Sequence, residues 1–97
     1  MNTPHPASRA IRHNQEQHRF ECIEAGYTCV LDYTLHGKQM TITHTGVPEA
    51  VGGRGIAAEL TQYTLNAAQA NGWTVHPVCS YAIAYIRKHP EYQSLTV

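Results

Sequence analysis

The chain has 97 residues, of which 42% are hydrophobic and 14% are charged, and seven basic residues balance seven acidic ones. This length fits one domain with a modest core and is too short for two. Because neither sign of charge is in excess, nothing in the composition points to nucleic acid as a partner. The opening MNTPHPASRA lacks the apolar centre of a signal peptide, and no apolar run is long enough to cross a membrane.

The cysteines and histidines give no sign of a cross-linked or metal-bound framework. Cys22, Cys29 and Cys79 are odd in number and lack the spacing of a zinc site. The seven histidines are scattered without metal-ligand spacing, so we expect no bound metal. Thiols that stay reduced are typical of the cytoplasm, which is the predicted location.

The first half of the chain reads as strands that follow a short leader. Residues 1–8 hold two prolines and little to bury, which predicts a mobile leader before one domain over residues 9–97. Between residues 19 and 45 the pattern predicts an antiparallel meander. Its strands begin near residue 19, and a tight hairpin at Ala25 and Gly26 would place Cys22 opposite Cys29. After a turn at residues 36–38, apolar residues and a histidine alternate with threonines: Met40, Ile42 and His44.

The second half changes to a helical period and predicts an α+β fold. Small and apolar residues recur at helical spacing on one side: Ile56, Ala57, Leu60, Tyr63, Thr64, Ala67 and Ala68. Asn71 and Gly72 are typical of a helix end. Residues 73–79, WTVHPVC, predict a strand in which Pro77 favours an edge or a bulge. We expect Ser80 to cap a short helix over residues 81–88.

A glycine-rich loop, VGGRG, precedes the long helix and suggests an anion site. The first N–H groups of a helix lack partners within the helix, and the helix dipole favours negative charge there. No Lys-Ser/Thr pair follows Gly55, which excludes a P-loop, and the flanking unit of a dinucleotide site is missing. The loop alone also fits an ordinary glycine turn.

In this order of elements, the loop resembles motif A of the GNAT superfamily, the acyl-CoA-dependent N-acetyltransferases. Of the pattern Gln/Arg-x-x-Gly-x-Gly/Ala, Gly55 and Ala57 match the last two fixed positions, whereas Gly52 stands where Arg or Gln is usual. The segments HTGVPEAVGGRGIAAEL and VHPVCSYAIAYIRKHPEYQSL are similar to a small GNAT-like family of N-acetyltransferase-domain, or Yjd-type, proteins. This resemblance covers about residues 12–95.

The resemblance implies an acetyl-CoA-binding protein that transfers an acetyl group to an amine, and a non-catalytic acyl-CoA sensor or carrier is the alternative. The amine acceptor, a small molecule or a protein, is open, and so is the oligomeric state. Since Gly52 removes the usual side-chain donor, Arg54 is expected to be secondary to the backbone. The expected acetyl-CoA site comprises Thr45, Val47, Gly52, Gly53, Arg54, Gly55, Ile56, Ala57, Tyr81 and Lys88.

Three residues are candidates for the chemistry of transfer. Cys79 ends a strand before a helix start, where a thiolate is stabilised. By the resemblance it lies near the thioester and either accepts the acetyl group or lines the pocket, although a buried structural thiol is the plainer alternative. His44 is a candidate base, against a structural role on its strand. Tyr85, on one helix face with Tyr81, would protonate the departing thiolate or pack on pantetheine.

Overall fold

The computed structural model describes residues 9–97, so the predicted leader lies outside the described residues. A five-stranded sheet in chain order carries two helices. The first four strands are antiparallel, and the fifth joins the fourth in parallel. The strands are β1 (Arg12–Asn14), β2 (Arg19–Glu24), β3 (Tyr27–His36), β4 (Gln39–Gly46) and β5 (Thr74–Pro77), and the helices are α1 (Ile56–Asn71) and α2 (Ser80–Lys88). The predicted α+β fold is confirmed, and β1 is the strand that the sequence did not predict.

The hairpin between β2 and β3 forms as predicted. Ala25 and Gly26 have φ angles of 50° and 85°, the left-handed pair that a two-residue hairpin turn requires. This turn fixes the register and places Cys22 opposite Cys29. Both are buried free thiols, and burial, followed by the neighbouring Cys29, raises the pKa of Cys22 to about 11.

Helix α1 buries a stripe that differs in part from the predicted one. Gly72 caps its C-terminus with φ 71°, and its N–H donates to the carbonyls of Ala68 and Gln69, which confirms the predicted end. Tyr63 was expected on the buried side but is 45% exposed. Thr61 is fully buried instead, because its hydroxyl donates to the carbonyl of Ala57 and needs no water. The buried residues of the helix are Ile56, Leu60, Thr61, Thr64, Leu65 and Ala68.

A β-bulge in β4 moves His44 to the other face of the sheet. Ile42 lies opposite Tyr33, but His44 lies opposite the preceding residue of β3, Asp32, so one residue of β4 is inserted between them. After the bulge Thr45, opposite Leu31, faces the core, whereas His44 is exposed. The prediction that His44 shares a face with Met40 and Ile42 is therefore wrong.

The far edge of the sheet is β5, as Pro77 predicted. Pro77 is the last residue of that strand, where a missing N–H disturbs no inner ladder. The end of the chain reaches the outer side of β5 through one bridge, Val75 to Thr96. Within residues 9–97 we find no helix with the length and hydropathy needed to pass through a bilayer.

The ring of His13, on β1, packs against Phe20 and Tyr33. Its ring stacks on Phe20 with the centroids 4.0 Å apart, and Nε2 lies 2.5 Å from the Tyr33 hydroxyl. Burial, followed by the nearby His18, lowers the pKa of His13 below its ordinary 6.5. The unfolded chain keeps the ordinary pKa and therefore binds more protons than the folded chain when the pH lies between the two values. The free energy of unfolding thus decreases as the pH falls below about 6.5.

We expect the free energy of unfolding in urea to fall between about pH 7.5 and about pH 5.5, because His13 must be protonated against its environment. His13→Gln keeps an acceptor for Tyr33 and should flatten this dependence. His36→Gln, at an exposed position, is the matched control and should leave the slope unchanged. An unaltered slope in His13→Gln would assign the pH dependence to other groups.

Candidate functional site

The parallel strands β4 and β5 separate at one end of the sheet. Their ladder ends where Ile42 meets Pro77. The carbonyl of Ile42 then accepts from the N–H groups of Val78 (3.0 Å) and Cys79 (3.2 Å). Beyond this point β4 continues to its end beside β3 alone, while the chain after β5 turns into α2. The sheet therefore opens at this end, with the glycine-rich loop following β4 and the start of α2 following β5.

Two of the three loop glycines have a backbone that side chains rarely adopt. Gly53 and Gly55 both have φ 78°, in the left-handed region. Among residues 9–97, no heavy atom would lie within 4 Å of a Cβ at either position, so these residues leave the space in front of the loop open. Gly52 differs, because its backbone is extended and its Cβ would lie 3.3 Å from the carbonyl oxygen of Glu49.

The start of α1 has no side-chain cap from the described residues. Gly55 is the N-cap residue and has no side chain to cap the first turn. The first N–H groups of the helix have no intrahelical acceptor, and the dipole adds positive potential. Ile56 is buried in the core, so only its backbone can serve such a ligand. The loop thus has the features of an anion site, since phosphate oxygens can approach the main chain where no Cβ projects.

Three charged residues lie beside this loop and were not predicted from the sequence: Arg9, Glu24 and Glu59. Arg54 Nη1 donates to Glu24 at 3.1 Å. Arg9 Nε donates to the other oxygen of Glu24 at 3.1 Å, and Arg9 Nη2 donates to the carbonyl oxygen of Arg54 at 2.9 Å. The main-chain N–H and the guanidinium of Arg9 both donate to Glu59. Bonds from Arg9, followed by those from Arg54, lower the pKa of Glu24.

Cys79, rather than Ser80, caps helix α2. The Ala82 N–H donates to Cys79 Sγ at 3.4 Å, and Ser80 is the first residue of the helix. The predicted Ser80 cap is wrong, because the bond from the Cys79 N–H to Ile42 fixes the turn one residue earlier. The half-buried sulfur also lies 3.5 Å from Thr45 Oγ1. The bulge in β4 is what brings Thr45 to this face.

The remaining candidates divide between the two faces of the sheet. His44 lies on the outer face, where a Cβ at Gly46 would be 2.9 Å from its Nε2. Tyr85 is 8% exposed and stacks on His89, and its ring centroid lies 6.4 Å from that of Tyr81. Burial raises the pKa of both tyrosines above its ordinary value of 10.

Lys88 and Val47, two other predicted contacts, have different surroundings. Lys88 is exposed in the last turn of α2, where a cation suits the helix dipole. The helical rise puts it about 12 Å along the axis from Ser80. Val47 is partly buried and packs on the core. Across the described part of the chain, no three His, Cys, Asp or Glu side chains gather closely enough to hold a metal ion.

Similarity to known proteins identifies the protein family to which this fold and site belong. A family model described as GCN5-related N-acetyl-transferase matches residues 19–95. The chain therefore belongs to the GCN5-related N-acetyltransferase family, and the predicted resemblance to the GNAT superfamily is confirmed. Members of this family typically use acetyl-CoA and an acceptor substrate.

Curated relatives support this family, and a solved structure supports the fold. Protein NATD1 of Mus musculus is 31% identical over 83 residues, which cover 82% of this chain and 76% of that protein. The Gallus gallus Protein NATD1 matches with the same identity and coverage. The NMR solution structure of a GCN5-like protein from Staphylococcus aureus superposes with a TM-score of 0.72, at 23% identity, over 91% of this chain and 87% of the other. This last likeness supports the fold.

Proposed function

We propose that this protein binds acetyl-CoA at residues 52–57 and transfers the acetyl group to an amine. The observation that carries the proposal is the common location of two features. The open glycine loop and the half-buried Cys79 thiol follow the ends of neighbouring parallel strands, at the point where the strands part. Family membership supports the same substrate, because GCN5-related N-acetyltransferases typically use acetyl-CoA.

The backbone of the loop is the main binding group in this proposal. Amides from Gly53 to Ala57 would donate to the pyrophosphate, aided by the dipole of α1. Arg54 contributes less, because its guanidinium is already paired with Glu24. Val47 would line the entrance from its position after β4. Tyr81, at the start of α2, would pack against pantetheine, and the exposed Lys88 would serve only a distant phosphate of the nucleotide.

Cys79 is the proposed acceptor of the acetyl group. Acetyl-CoA supplies an activated thioester. Attack by Cys79 Sγ on the thioester carbonyl would form S-acetylcysteine and release CoA, which takes up the proton that the thiol gave. The amine then attacks S-acetylcysteine, which yields the amide and restores the thiol. The Ala82 N–H and the Thr45 hydroxyl, both beside the sulfur, would hold it in place during these steps.

Two further groups have proposed proton-transfer roles. Tyr85, whose phenol is protonated at neutral pH, is the proposed donor to the leaving CoA thiolate, and it regains its proton from the Cys79 thiol. His44 as a base stays a prediction. From the outer face of the sheet it would serve only an amine that approaches from that side.

Mass spectrometry of the purified protein with acetyl-CoA and a set of amines tests this function. The set should include a polyamine, a lysine peptide and a peptide with a free N-terminus. We expect a non-covalent CoA complex under native conditions, and consumption of acetyl-CoA with at least one amine. A complex without turnover would instead indicate a carrier or sensor, and the absence of any CoA complex would contradict the proposal.

A further inference from the structure

Two carboxylates stand beside the loop that is proposed to bind phosphates. Glu24 ends β2, and Glu59 lies in the first turn of α1. A carboxylate in the first turn already interacts favourably with the helix dipole, so it competes with an anionic ligand for the same potential. On electrostatic grounds alone, both residues weaken the binding of a pyrophosphate.

Both carboxylates hold Arg9. Glu24 accepts from Arg9 Nε at 3.1 Å. Glu59 accepts from the Arg9 main-chain N–H at 3.0 Å and also from its guanidinium. The Arg9 side chain is 13% exposed, which is low for an arginine, so its position is well defined by these partners. Its remaining nitrogen, Nη2, donates to the carbonyl oxygen of Arg54 at 2.9 Å.

The contact with the Arg54 carbonyl fixes the orientation of one peptide group in the loop. Arg54 stands between Gly53 and Gly55, both at φ 78°, and glycine permits a peptide to rotate about its flanking bonds. The peptide that joins Arg54 to Gly55 is planar and trans, so its N–H points away from its C=O. Holding the carbonyl on the side of Arg9 therefore directs the Gly55 N–H to the opposite side. The reverse orientation would present a carbonyl oxygen to the anion.

We propose that Arg9 is a positioning residue that holds the Arg54 carbonyl and so keeps the Gly55 N–H available to phosphate. Glu24 and Glu59 fix Arg9 in place by hydrogen bonds and ion pairs. This inference rests on the proposed function for its ligand. It also explains why acidic residues stand at an anion site: they act on the ligand through Arg9 and the loop backbone.

The sign of one substitution distinguishes this role from simple electrostatics. Glu59→Gln removes a negative charge near the proposed phosphate site, which would strengthen CoA binding if charge alone mattered. The proposed positioning role of Arg9 predicts the reverse. CoA affinity should fall about tenfold, which is equivalent to the loss of one hydrogen bond between charged groups. Arg9→Met, whose side chain cannot donate, should weaken CoA binding by the same amount or more. Glu21→Gln makes the same chemical change in an ion pair with the exposed Arg12 and should leave CoA affinity unaltered.

The experiment combines calorimetric titration of CoA with amide hydrogen exchange of the ligand-free protein. In Arg9→Met and Glu59→Gln the Gly55 amide should exchange faster than in the wild type, while amides in β3 keep their protection. Hydrogen exchange does not need CoA, so it tests the role of Arg9 even if the wild type fails to bind CoA. That failure would overturn the proposed function instead. Unchanged exchange of the Gly55 amide in both variants would refute the positioning role of Arg9. A CoA affinity in Glu59→Gln that equals or exceeds that of the wild type would also refute it.

Discussion

Replacing Gly55 by alanine is expected to weaken CoA binding by about a hundredfold. Gly55 has φ 78°, where an L-residue costs about 1–2 kcal/mol, and its new Cβ would project into the open space in front of the loop. If the backbone shifts to relieve this strain, the first amides of α1 lose their alignment. The loss of two hydrogen bonds to a charged phosphate is sufficient for the predicted change.

The matched control is Gly72→Ala at the opposite end of α1. Gly72 has φ 71°, and a Cβ there would also meet none of the described residues within 4 Å, so the backbone cost is comparable. Both variants should melt about 4–8 °C lower for each kcal/mol of strain. Only Gly55→Ala should lose affinity in a calorimetric titration with CoA. Equal losses of affinity in the two variants would show that reduced stability is the cause, and an unchanged affinity in Gly55→Ala would exclude the loop as the binding site.

Local patterns in the sequence predicted most of the fold. The hairpin at Ala25 and Gly26, the end of α1 at Gly72 and the edge strand at Pro77 each depend on the backbone preference of one or two residues. Such preferences act at short range and are readable from neighbouring residues. The short β1 carries too few residues to show a period.

The errors concern features that depend on distant parts of the chain. The bulge in β4 arises from its register with β3, so strict alternation placed His44 on the wrong face. The cap of α2 is set by the bond from Cys79 to Ile42, 37 residues earlier, whereas local propensity favoured Ser80. Arg9 meets Glu59 across 50 positions, and no spacing rule connects them. The sequence was therefore sufficient to select the glycine-rich loop and Cys79 as candidates. It was not sufficient to predict the contacts that position them.

Cys79 is expected to be the cysteine that acetyl-CoA labels. Its sulfur is half-buried, accepts from the Ala82 N–H and lies beside the parting of β4 and β5. Cys22 and Cys29 are internal controls, because both are buried and burial raises the pKa of Cys22 to about 11. After incubation at neutral pH and an acid quench, peptide mapping should find the acetyl group on Cys79 and on neither of the others.

Cys79→Ser separates a covalent role from a structural one. Serine is a better N-cap than cysteine, so it can still accept from the Ala82 N–H and keep α2 in place. Because an unactivated serine hydroxyl is a much weaker nucleophile than a cysteine thiol at neutral pH, the variant should lose the label and reduce amine acetylation by about a hundredfold or more. Melting temperature and CoA affinity should stay close to those of the wild type. Full turnover in Cys79→Ser would show direct transfer to the amine, with the sulfur only lining the pocket, and a label on Cys22 or Cys29 instead of Cys79 would place the thioester elsewhere.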